Sequence, residues 1–106
     1  MEKKKVLIFN GSPRKNGETA FMIKTLQEEL GEGYECKTVN AYKADIRPCV
    51  DCRWCFTHPG CAIKDEWQEI LSYIEECDHV VMASPVYFEE VTGMLLSVLS
   101  RLQTYF

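Results

Sequence analysis

Basic residues are in deficit. Lysine and arginine number 12 against 16 aspartates and glutamates, a formal charge of −4 over 106 residues. A nucleic-acid binder normally shows a basic surplus, so that class loses support. Small anionic ligands answer to local charge and stay open. No apolar run is long enough to span a membrane. The apolar residues Val6-Leu7-Ile8-Phe9 are too few for a signal-peptide core, so a cytoplasmic setting is expected. Neither GxGxxG nor a Walker A sequence occurs, which removes support for dinucleotide-fingerprint and ATPase readings. Repeats, low-complexity stretches and linkers are also absent, which leaves a single domain over residues 1–106. At 46% hydrophobic and 26% charged, the proportions are those of a globular chain, not a disordered one.

Cysteine is not scarce: there are six. In a reducing compartment disulfides are the weaker expectation, and metal binding or redox chemistry the stronger.

The continuous apolar run Val6-Leu7-Ile8-Phe9 reads as a buried strand ending at the turn-rich Asn10-Gly11-Ser12-Pro13. A helix is expected from about Gly17 to Leu30, with Ile23, Leu26 and Leu30 on one face and Gly31 and Gly33 as its stop. Tyr34 to Val39 alternates like a half-exposed edge strand. Residues 40–63 form a long irregular segment holding four of the six cysteines. A second helix is expected from about Asp65 to Glu76, burying Trp67, Ile70, Leu71 and Ile74, with Asp65 and Gln68 as an N-terminal cap pair. Val80-Val81-Met82-Ala83 is a third strand, and a last helix over about Thr92 to Gln103 presents Leu95, Val98, Leu99 and Leu102.

Alternating strands and helices imply parallel strands joined by right-handed crossovers. The two continuous apolar strands are expected inside and the alternating one at an edge. That gives the order 2-1-3, the first part of a flavodoxin-like three-layer α/β sheet with three helices. A βαβ unit takes roughly 30 residues or more, so the chain has room for only three strands. The third is then both apolar and open along its outer side, which is a liability. The expectation is an incomplete domain: either a partner chain completes the sheet, or residues 1–106 are the N-terminal portion of a longer protein.

Three segments carry chemistry. The loop Asn10–Thr19 follows the first strand, where ligands bind in open α/β sheets. The helix N-terminus, the hydroxyls of Ser12 and Thr19, and the Arg14 guanidinium suit a phosphate; the plain alternative is a turn with polar caps. Cys49, Cys52, Cys55 and Cys61, spaced C-x2-C-x2-C-x5-C within loop 47–63, resemble the ligation of a cubane [4Fe–4S] cluster. Arg47 and Arg53 flank the loop and are the cations expected to offset its charge. Zinc competes, although its sites usually use two separated C-x2-C pairs. Cys36 and Cys77 read as core fillers, His58 as a solvated loop residue and His79 as structural. Ser84-Pro85-Val86-Tyr87-Phe88 ends the third strand at the same sheet edge, and its aromatic pair suits a flat ring.

Taken together, Gly11-Ser12-Pro13-Arg14, the compact cysteine loop, and Ser84-Pro85-Val86-Tyr87-Phe88 with Gly93 and Arg101 beyond resemble the NADPH-dependent FMN reductase family of flavodoxin-like proteins. Within that family they look like the iron–sulfur flavoproteins. The resemblance covers almost the whole chain. It implies that Ser12, Arg14 and Thr19 bind the FMN phosphate, and that Pro85, Val86, Tyr87 and Phe88 border the isoalloxazine. It also implies that Cys49, Cys52, Cys55 and Cys61 ligate a [4Fe–4S] cluster. There are departures. Glu18 stands where a small polar residue is frequent, Glu89 where glycine is common, and Ser100 where aspartate usually precedes Arg101; Glu90 adds charge near the expected flavin edge. The family fold also continues for two more strands and a third flavin-contacting loop.

The leading expectation is an FMN-dependent electron-transfer oxidoreductase fed by ferredoxin or NAD(P)H, a homo-oligomer in the cytoplasm. The alternatives are an FMN reductase with zinc or free cysteines, and a non-catalytic half-domain that oligomerises through its open sheet edge.

Overall fold

The computed structural model describes residues 3–86 and 90–105. The chain runs β1 (Lys4–Asn10), α1 (Glu18–Leu30), β2 (Tyr34–Asn40), α2 (Trp67–Glu76), β3 (His79–Ala83) and α3 (Gly93–Leu99). The three strands are parallel in the order β2-β1-β3, as the strand patterns predict. Register places Val6 opposite Cys36 and His79, and Asn10 opposite Asn40 and Ala83.

β1 is covered on both faces, which is why it reads as an unbroken apolar run. Val6 and Ile8 pack with Ile23 of α1; Leu7 and Phe9 pack with Trp67 and Ile70 of α2 and Leu95 and Val98 of α3. All of these residues are buried. β2 alternates because it is an edge.

β3 is open along its outer side, as the order 2-1-3 implies, although its apolar run reads as interior. It is equally apolar but is not interior: Val81 and Ala83 pack beside Val6 and Ile8, while Val80 and Met82 are 46% and 50% exposed. The cause is topological, since no fourth strand pairs with it among the described residues.

Local signals account for the helix ends. α1 stops at Gly31, whose φ of 71° suits glycine and whose N–H reaches the Gln27 carbonyl. α2 begins behind the expected capping pair: the Gln68 side chain accepts from Asp65 N at 2.8 Å, and Asp65 accepts from Trp67 N at 3.0 Å. Thr92 caps α3 by accepting from Leu95 N. The expected last helix is shorter than its pattern, because from Ser100 to Tyr105 the chain tightens into a 3₁₀ turn. The Ser100 hydroxyl donates back to Ser97 O at 2.6 Å, a bond that competes with the α-helical ladder. No helix among the described residues is long and apolar enough to cross a membrane.

Candidate functional site

β1 and β3 end side by side, and the loops that follow them are tied together. Gly11 N donates to Ala83 O at 2.8 Å. The fully buried Thr92 donates its hydroxyl to Gly11 O at 2.6 Å, and its N–H to Ser84 Oγ at 3.0 Å. Gly11 has no room for a side chain: a Cβ there would stand 2.8 Å from both Leu95 Cδ2 and Ser84 Oγ. The two strand-end loops are therefore one unit, with Thr92 as its pin. The helical pattern begins at Thr92 and by itself assigns the residue no role. The available signal was a hydroxyl residue one place before a helix.

The first loop is organised from Asn10. Its amide donates to the Asn40 side chain at 2.9 Å, and its carbonyl oxygen accepts from Ser12 N at 2.9 Å. Ser12 is buried, and its Oγ accepts from Arg14 N at 3.1 Å. Thr19 is buried in the first turn of α1. Gly17, the residue before α1, brings no side-chain cap, and the first helical bond runs from Phe21 N to Gly17 O. The opening N–H groups of α1 therefore lack a side-chain acceptor, as an anion site requires. Arg14 shares a cleft with Asn16, Gly17, Glu18 and Phe21. Glu18 thus puts a negative charge into that cleft and works against an anion there. On the second loop Pro85 is half-buried and Val86 is 75% exposed. Tyr87 and Phe88 lie outside the described residues.

Cys49, Cys52, Cys55 and Cys61 line a common cleft, with Arg101 and Gln103 as part of its wall. None forms a disulfide. The loop has unusual backbone: Asp51 and Arg53 take φ of 54° and 64°, in the left-handed region that costs a residue with a Cβ about 1–2 kcal/mol. Asp51 N donates to Cys49 Sγ at 3.4 Å. Among the described residues no three His, Cys, Asp or Glu side chains are gathered closely enough to hold a single metal ion. Four thiolates on one zinc stand about 3.8 Å apart, from a Zn–S bond of about 2.3 Å. A cubane gives each thiolate its own iron, so its ligands stand wider.

Of the two arginines that proximity in sequence suggests, Arg53 lines this cleft, and Arg101 lines it as well. Arg53 is exposed and pairs with exposed Asp51 at 3.6 Å; the Arg47 side chain turns to Lys64 O and Asp65. It is Arg101, 1% exposed, that donates to Cys61 Sγ at 3.3 Å. Its other bonds go to Asp65 Oδ2 at 2.7 Å, Arg47 O at 3.0 Å and Ile63 O at 3.1 Å. Its Nε is buried without a hydrogen-bond partner.

Burial alone would raise the Asp65 pKa. The hydrogen bond from Arg101 and those from Arg47 N and Trp67 N outweigh it and hold the carboxyl below its ordinary 3.8. Arg101 is likewise held above its ordinary value: burial opposes the charge, and the bonds to Asp65 and Cys61 overcome that. The lowered Asp65 pKa gives stability that is fully present above 3.8 and is lost as pH falls through the folded-state value. Asp65→Asn cannot titrate. The advantage of wild type over Asp65→Asn in urea melts should therefore be constant at neutral pH and shrink below pH 3.8. An advantage that persists unchanged into that acid range would refute the linkage.

The sequence profile of the NADPH-dependent FMN reductase family matches residues 4–105. An iron–sulfur flavoprotein of Methanocaldococcus jannaschii is 32% identical over 98 residues, covering 92% of this chain and 51% of that protein. One from Archaeoglobus fulgidus is 33% identical over 96 residues, covering 90% and 44%. The chain thus spans about half the length of these curated relatives. The crystal structure of RosB with its bound intermediate 8-demethyl-8-formylriboflavin-5′-phosphate superposes with a TM-score of 0.68. It is 28% identical, and the match covers 94% of this chain and 42% of that one.

Proposed function

The chain belongs to the NADPH-dependent FMN reductase family, and from that membership we propose that it forms part of an FMN-dependent electron-transfer oxidoreductase of the iron–sulfur flavoprotein type. Ser12, Arg14 and Thr19 hold the FMN phosphate; Pro85, Val86, Tyr87 and Phe88 border the ring; Cys49, Cys52, Cys55 and Cys61 ligate a [4Fe–4S] cluster. When bound, FMN would exchange one or two electrons and the cluster one at a time, which would link a one-electron donor such as ferredoxin to a two-electron acceptor; NAD(P)H would instead give FMN both electrons as a hydride. The chain's own residues position and tune. Thr92 and Gly11 fix the two flavin loops against each other, the uncapped start of α1 offers N–H groups to phosphate, and Arg101 sets a positive charge beside the thiolates.

One observation carries the reading. α3 and the turn after it join the two sites: Thr92 at one end pins the strand-end loops, and Ser100 and Arg101 at the other hold the cysteine loop. In this reading the protein is cytoplasmic and a homo-oligomer; the apolar Val80 and Met82 beside the open β3 edge support the oligomer.

An anaerobic UV–visible spectrum, with iron, zinc and flavin quantified on the same sample, tests it. The expected result is flavin bands, a broad iron–sulfur shoulder and about four irons per chain. Flavin with zinc would keep the flavoenzyme and remove the cluster. A colourless chain that takes up no added FMN would leave only a non-catalytic half-domain.

A further inference from the structure

The turn that ends the chain's last helical segment is the other half of the cysteine site. Cys49 N donates to Ser100 Oγ at 2.9 Å, Arg101 donates to Cys61 Sγ at 3.3 Å, and Cys55 Sγ lies 3.9 Å from Gln103 O. Cys49 and Cys61 are therefore anchored on Ser100–Tyr105, far from them in sequence, and Cys55 lies close to the same turn. Among these anchors only Arg101 brings charge. Its guanidinium cannot rotate away: Asp65 and two carbonyls grip it, and the Trp67 ring lies 5.8 Å from its Cζ. It also cannot lose its proton at any accessible pH. The side chains of Arg101 and Asp65 are both 1% exposed, so water screens this charge far less than that of the exposed Arg53.

We propose that Arg101 is a positioning residue of the cysteine site: it fixes the Cys61 sulfur as one corner of the ligand set and sets the reduction potential of the centre held there. The proposal rests on the iron–sulfur reading above. A charged N–H donated to a ligand sulfur stabilises the more negative, reduced state over the oxidised one, which raises the potential. The fork geometry matters as well as the charge. Nη1 is committed to Asp65 and Arg47 O, and Nη2 to Cys61 and Ile63 O, so one planar group braces both sides of the loop. Lysine could supply the charge but not this bracing.

The test uses the full chain, reconstituted anaerobically with ferrous iron and sulfide, as wild type, Arg101→Lys, Arg101→Met and the double variant Asp65→Asn/Arg101→Met. The double variant removes the carboxylate that Arg101→Met strands, so the fold survives if the single variant misfolds; circular dichroism of the metal-free proteins checks this. Iron and sulfide per chain, the chelator concentration that strips the iron, and the midpoint potential from an optical redox titration are then read. Both methionine-containing variants should give up iron at chelator concentrations about 10–100-fold lower than wild type. The Arg101→Met midpoint should be more negative, and that of the double variant, which loses the Asp65 charge as well, should shift less in the same direction. Arg101→Lys should keep much of the potential but lose iron more easily. A folded double variant matching wild type in both iron retention and midpoint would overturn the role of Arg101 while leaving the cluster intact. Wild-type protein that takes up no iron and sulfide would instead overturn the cluster reading, and this inference with it.

Discussion

Asp65→Ala should destabilise the chain by about 3–5 kcal/mol, because it strands a buried guanidinium. The Arg101 and Asp65 side chains are each 1% exposed and meet at 2.7 Å. Removing the carboxylate leaves the Arg101 charge in a low-dielectric site with only carbonyls and a thiol around it. The same carboxylate also caps α2 through Trp67 N and accepts from Arg47 N. Losing the cap adds about 1 kcal/mol within that range. Domains of this size are stable by only about 5–15 kcal/mol, so the urea midpoint should fall by more than about 1 M. Asp65→Asn retains an acceptor for Trp67 N and for Arg101 and should fall between the two. The damage should also reach the cysteine loop, since Arg101 grips Ile63 O and Cys61 from the same guanidinium. Trypsin should cut within residues 43–64 sooner in Asp65→Ala than in wild type at matched urea. An Asp65→Ala protein within about 0.5 kcal/mol of wild type would mean that Arg101 finds water instead, and that the pair is not buried in solution.

How much of this could be read in advance follows from how each contact lies along the chain. The sheet order was legible because β1 and β2 carry opposite patterns, continuous and alternating, and those patterns report coverage on two faces or one. The Asp65–Gln68 cap was legible because its partners are three residues apart. The cysteines advertised a shared cleft through their spacing alone. Arg101 was not legible as their counter-cation. It is separated from Cys61 by 40 residues and from Asp65 by 36, and in the turn after α3 it stands beside Leu102 without any local sign of its use. Proximity pointed to Arg47 and Arg53; Arg53 does line the cleft, but the two side chains stay 64% and 68% exposed. The Thr92–Gly11 bond spans 81 residues and was hidden for the same reason. β3 was legible in its place: the order 2-1-3 leaves it open along its outer side, even though its apolar run reports the surroundings of an interior strand.

Gly11→Ala should weaken FMN uptake at least about tenfold, the equivalent of ~1.4 kcal/mol, while costing about 1–3 kcal/mol in stability. The clash is not at the end of a flexible side chain that can swing aside. Leu95 is fully buried in the core against β1, and its Cβ would also stand 3.0 Å from the new methyl. Ser84 Oγ is held from two sides, donating to Pro85 O and accepting from Thr92 N. The added carbon must therefore push α3 away from the sheet or break the Thr92 pin, and either motion separates the loop of Ser12 and Arg14 from that of Pro85 and Val86. FMN fluorescence titration reads the first effect and a urea melt the second. Thr92→Val separates the two explanations. It removes the hydroxyl donated to Gly11 O without adding bulk beside Leu95. If loop alignment governs affinity, Thr92→Val should weaken FMN binding in the same direction as Gly11→Ala. If Gly11→Ala loses stability but binds FMN as wild type does, the two loops need not be held together for the phosphate and ring to be bound. The site would then have to be built on the first loop alone.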